Sequence, residues 1–109
     1  METSPYKLCM QLEGQLKRLL AGQDASTLPP DVRPVVTSIK RIMAEARLDV
    51  RDYEYAETRA EQQQHGSDAR KRLERVRQAV LTASEYNVFS AIDVAHTTAT
   101  IEQITKHID

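Results

Sequence analysis

Asp93-Val94-Ala95-His96 places a carboxylate three residues before an imidazole. On a helix that spacing points both groups the same way, and it is how di-metal bundles supply two of their ligands. Glu57, Glu61 and His65 form a second acid and imidazole series, spaced by four. A dinuclear centre needs two pairs at three-residue spacing plus further buried glutamates. The spacing occurs once, and the C-terminal segment offers threonine where glutamate would be required, so a helical-bundle metalloprotein is the third reading and no residue is assigned as a ligand. Hydrolytic chemistry needs a nucleophile, a base and a group that orients the base. Three histidines and several serines are present, but no nucleophile elbow, phosphate-binding glycine loop or strand pattern accompanies them. The expectation is a chain without catalytic activity, with no catalytic, cofactor-binding or metal-binding residue.

Cys9 is the single cysteine. It can close no intramolecular disulfide and cannot assemble a cysteine zinc site within one chain, so it reads as a small buried apolar residue. Arg70, Lys71, Arg72, Arg75 and Arg77 could contact phosphates. No aromatic residue interleaves them to stack on bases. The plainer reading is a solvated face set against an acidic helix, which leaves a nucleic-acid-associated protein as the alternative function and nucleic acid as a disfavoured partner.

The elements that must position these residues are helices. Three glycines and four prolines punctuate the chain, none after Gly66, which leaves little room for hairpins. Ser4 caps and Pro5 opens a first helix over about 5–21, with Cys9, Leu12, Leu16 and Leu19 on one face and Gly22 as its stop. After the loop QDASTLPP, a second helix is expected over about 31–65, capped by Asp31 with Pro34 in its first turn. Val32, Val36, Ile39, Met43, Ala46, Val50, Tyr53, Glu57, Ala60 and Gln64 alternate by four and three, a heptad seam. His65-Gly66-Ser67-Asp68 is the expected turn. A third helix over about 68–108 carries a matching seam from Ala69 through Leu73, Val76, Val80, Ala83, Asn87 and Val94 to Ile108. Polar residues at 85–90 could break it in two.

A turn at Gly66 makes facing residue numbers total 133, pairing Tyr53 with Val80, Val50 with Ala83 and Val32 with Ile101. The hairpin so formed would be about 50 Å long. Residues 70–77 carry net +4 and residues 49–61 net −3, which favours that pairing locally. Glu57 would face Val76 and reach Arg72 or Arg75, and the first helix would cover Val35 and Ile42, thickening one end only. The expected fold is all-α, a single helical domain over 1–109 built as an antiparallel hairpin or bundle of three long or four shorter helices.

Leu81, Val88, Ile92, Ala95 and Ala99, with Phe89 adjacent, form a second apolar stripe away from the seam. A helix apolar on two sides needs two partners. Leu81, Val88, Phe89 and Ile92 are therefore the expected contacts of a protein-interaction module (an adaptor, a chaperone-like protein or a regulatory subunit) whose partner is another protein or a second copy in a homodimer. With 40% hydrophobic and 28% charged residues the chain should fold, and its net charge of −1 creates no global field toward nucleic acid or anionic lipid. No apolar run approaches the ~20 residues of a membrane span, and METSPYKLCMQLEG lacks a leader's basic and apolar regions, so the expected location is cytoplasmic.

Overall fold

The computed structural model describes residues 4–108, apart from the side chain of Ala25. Four helices pack in chain order, α1 (Pro5–Ala21), α2 (Arg33–Glu54), α3 (Arg59–Glu85) and α4 (Ala91–His107), with a short 3-10 turn at Ala25–Thr27. α1 lies against α2 and α4, and α3 lies against α2 and α4. Successive helices are therefore neighbours in a closed, up-and-down four-helix bundle with a longest dimension of 47 Å.

α1 begins as its sequence implies: the Lys7 amide donates to Ser4 Oγ at 3.2 Å and Pro5 occupies the first turn. Its end at Gly22 does not use positive φ, because Gly22 closes the helix in a right-handed conformation at φ −82°. α2 starts two residues later than expected, with Val32 at the cap position and no capping side chain from Asp31. The amides of Val32 and Arg33 both donate to the Pro29 carbonyl instead.

The largest departure lies in the turn between α2 and α3. It falls at residues 55–58, and Gly66 sits inside α3. Thr58 starts α3 by accepting the Glu61 amide at 3.1 Å, while Glu61 Oε2 reaches back to the Glu57 amide at 3.4 Å. This reciprocal exchange is close to a capping box, which satisfies two otherwise unpaired donors at a helix start. Neither glycine nor proline is needed. Glu57 consequently lies exposed in the turn and faces neither Val76 nor the arginines of α3.

Moving the turn moves the register. Tyr53 rests on Gly66, and Arg72 pairs with both Asp49 and Glu45. Facing numbers therefore total 117 to 121, centred on 119, in place of 133. The slip is fourteen residues, two heptads, so each seam still meets the other seam. Val50 comes level with Ala69, Ala46 with Leu73, Met43 with Val76 and Ile39 with Val80, and all eight side chains are buried. Tyr53 is thus remote from Val80, and Val50 and Ala83 are both interior without facing each other. Gly66 serves the close approach. A Cβ there would lie 3.0 Å from Ile108 Cγ2 and 3.2 Å from the Tyr53 ring.

The chain breaks at 86–90, giving the four-helix alternative. Asn87, at φ 61°, is the one positive-φ residue other than glycine among those described, and the left-handed region admits asparagine more readily than most side chains. Ser90 then caps α4 by accepting the Asp93 amide at 3.1 Å. α4 turns back along α1 and α3, so Thr97, Thr100, Ile101, Ile104 and Ile108 are buried there and not against the start of α2. α1 runs antiparallel along α2: the Tyr6 amide donates to Glu54 Oε1 at 2.8 Å near one end, and Glu13 pairs with Arg47 at 3.2 Å further along. Val35 and Ile42 pack against the core, but they share a heptad position with Asp49, which bonds Arg72 of α3. They therefore lie on the α3 side of α2 and, contrary to expectation, α1 does not cover them; nor is the bundle thickened at one end alone.

Candidate functional site

The four residues expected to bind a partner separate. Val88 and Phe89 are 9% and 6% exposed and belong to the core, where the α3–α4 loop closes the end of the bundle together with Leu28 and Val32. Leu81 is half-buried. Ile92 alone stands out, 70% exposed, with Ala91, Ala95, His96 and Ala99 exposed near it on α4. Only the part of the second stripe before α4 is covered inside the molecule, because the break at 86–90 lets Val88 and Phe89 turn into the bundle while Ile92, Ala95 and Ala99 stay exposed.

The basic run is partly spent within the fold. Arg72 bonds Asp49 and lies 3.4 Å from Glu45, and Arg77 pairs with Glu74 in its own helix. Arg70 donates to the Ile108 carbonyl. Lys71 and Arg75 are exposed. The hydrogen bond to Asp49, reinforced by the charges of Asp49, Glu45 and Asp68 and opposed by desolvation, raises the Arg72 pKa. Asp49, buried on the flank of the seam, takes the register-fixing part that its sequence position had suggested for Glu57.

Asp93 and His96 share a hollow of about 380 Å³ between α4 and α1, with Gln15, Arg18, Leu19 and Thr97 on its walls. Gln15 Oε1 is buried there without a hydrogen-bond partner. No group of three or more histidine, cysteine, aspartate or glutamate side chains among the described residues is placed to hold a metal ion. Cys9 is fully buried, and burial, helped by Glu54 and Glu13 and opposed by Arg47, pushes its thiol pKa up to about 12.

A groove between α1 and α2 is absent from the sequence reading. It consists of two neighbouring hollows that share Lys17 and Lys40 on their borders. The first, about 450 Å³, lies over Leu20, Ala21, Leu28 and Val36 where the end of α1 meets the start of α2. The second, about 210 Å³, continues along the same seam over Leu16, Met43 and Ala44. Lys17 of α1 and Lys40 of α2 border both, one on each wall. The local cause is side-chain size. Ala21, Thr37 and Ala44 are short side chains on the lining, while Leu16, Val36 and Met43 beside them are buried in the core. At the far end Glu13 is already met by Arg47, a contact of charge and not an aligned hydrogen bond. The only sequence signal for this groove was the combination of small residues with flanking lysines on the outer faces of two adjacent helices.

Among the described residues no helix is long and apolar enough to cross a membrane. Comparison with protein-family models, curated proteins and solved structures gives no match.

Proposed function

We propose that this chain is a non-catalytic interaction module that receives a helical segment of a partner protein in the α1–α2 groove. The observation that carries this reading is the pair of neighbouring hollows, whose apolar floor belongs to the core and whose walls are two antiparallel helices. Such a trough suits the apolar face of an amphipathic helix, a recurring mode of peptide recognition. Its larger hollow falls in the range of volumes at which ligand sites are found. The α4 face offers less, because Ile92 is its one exposed large apolar residue.

The test blocks the groove without disturbing the core. Ala21 and Thr37 are exposed on its walls, so an Ala21→Glu/Thr37→Glu chain should keep its helical circular dichroism. Partners are captured from native lysate by the parent, by this double variant and by Ile92→Glu, and are quantified by mass spectrometry. Loss of the captured set with the groove variant and its retention with Ile92→Glu is the expected result. Retention by the groove variant together with loss by Ile92→Glu would move the docking face to α4.

A further inference from the structure

The groove's charge is lopsided in a way that specifies its occupant. Lys17 and Lys40 stand on opposite walls at its waist, each bordering both hollows, and neither forms an ion pair among the described residues. The one acidic side chain on the lining, Glu13, is neutralised by Arg47. The groove therefore presents two free positive charges above an apolar floor and no free negative one. Resting on the reading of the groove as the docking face, we infer that its occupant is an acidic amphipathic helix: two apolar side chains about one turn apart, one in each hollow, with glutamate or aspartate on both flanks.

Geometry sets the length. The α2 wall runs from Val36 to Ala44, about 12 Å at 1.5 Å per residue, or roughly two turns of an antiparallel or parallel occupant. Two apolar anchors at i and i+4 are about 6 Å apart, near the spacing of the two hollows along the groove. Carboxylates beside the anchors then meet Lys17 on one side and Lys40 on the other. A basic helix with the same anchors meets like charge on both sides. Specificity arises from this repulsion as much as from attraction.

Two stapled helical peptides with identical leucine anchors, one flanked by glutamates and the other by lysines, provide the test. Each is titrated into the 15N-labelled full chain and followed by chemical-shift perturbation. The acidic peptide should shift the amides of Lys17, Ala21, Thr37 and Lys40 and bind about tenfold more tightly than its basic twin at low salt. That preference should shrink at high ionic strength. Lys17→Glu/Lys40→Glu should invert it, and Lys17→Gln/Lys40→Gln should abolish it. Equal binding of both peptides in the groove would overturn the acidic occupant while leaving helix docking intact. Failure of either peptide to shift groove resonances, with or without shifts elsewhere, would overturn both.

Discussion

Replacing Gly66 by alanine sets two effects of similar size against each other. Alanine in a helix interior is favoured over glycine by about 1 kcal/mol, chiefly because glycine loses more backbone entropy on folding. At Gly66 the added Cβ would sit 3.0 Å from Ile108 Cγ2 and 3.2–3.3 Å from two carbons of the Tyr53 ring. Both contacts are tighter than ordinary van der Waals packing, so the α2 ring and the end of α4 must yield together. Overpacking of this kind costs about 1 to 3 kcal/mol. The net expectation for Gly66→Ala is a loss of about 0 to 2 kcal/mol. Gly14 supplies the control: it too lies inside a helix, and a Cβ there meets nothing within 4 Å. Gly14→Ala should therefore gain about 0.5 to 1 kcal/mol. Urea unfolding of both variants, with equal m-values confirming a common two-state transition, reads the steric cost as the difference between them. Equal stabilisation by the two alanines would refute the reasoning, because it would mean that Tyr53 and Ile108 do not press on Gly66.

Three further perturbations follow from the packing. Cys9, with its thiol pKa raised from 9.0 to about 12, should react with a thiolate-specific reagent at pH 8 about a thousandfold more slowly in the folded chain than in urea. Because the folded state holds that proton more tightly, its stabilising contribution is complete below pH 9 and is lost as pH rises toward 12; Cys9→Ala should flatten this part of the stability curve. Arg72→Met leaves the Asp49 carboxylate, only 12% exposed, without its partner and should cost about 1 to 2 kcal/mol in chemical denaturation, most of which Asp49→Leu in the same chain should restore. At the α3–α4 break, Asn87→Gly should be neutral or slightly stabilising and Asn87→Ala should cost about 1 kcal/mol, since only the first suits φ 61°; thermal melts compare them.

How much of this was legible from residues alone depends on which physical signal each feature used. The limits of α1 follow from Ser4, Pro5 and Gly22, strong local punctuation that the structure repeats. Seam membership was also readable, since Ile39, Met43, Ala46, Val50, Leu73, Val76 and Val80 are all interior. Their register was not. A seven-residue repeat looks the same after a shift of fourteen, so apolar pattern alone cannot separate a turn at 55–58 from one at 66. The local evidence was nevertheless present: Thr58-Arg59-Ala60-Glu61 has the spacing of a helix-starting box, but the unbroken alternation by four and three carried the second helix past it to Gln64. Gly66 misled in the other direction, because a glycine that permits close packing and one that ends a helix look alike in a string.

The site divided along similar lines. Val88 and Phe89 were readable as apolar positions in need of cover, and the structure covers them from within through a loop that no periodicity describes. The groove was not readable, since it depends on α1 lying antiparallel along α2 and on Lys17 and Lys40 arriving on opposite walls.

The register of α2 against α3 places every other element, and a pair of spin-label distances tests it directly. Leu48, Lys71 and Glu85 are exposed, so labels at 48 and 71 and at 48 and 85, in a Cys9→Ala background, place no label in the core. Facing numbers near 119 put Leu48 level with Lys71 and about 21 Å along the axis from Glu85, so double electron–electron resonance should give the shorter distance for the 48/71 pair. A shorter distance for 48/85 would contradict the account and restore a turn at Gly66.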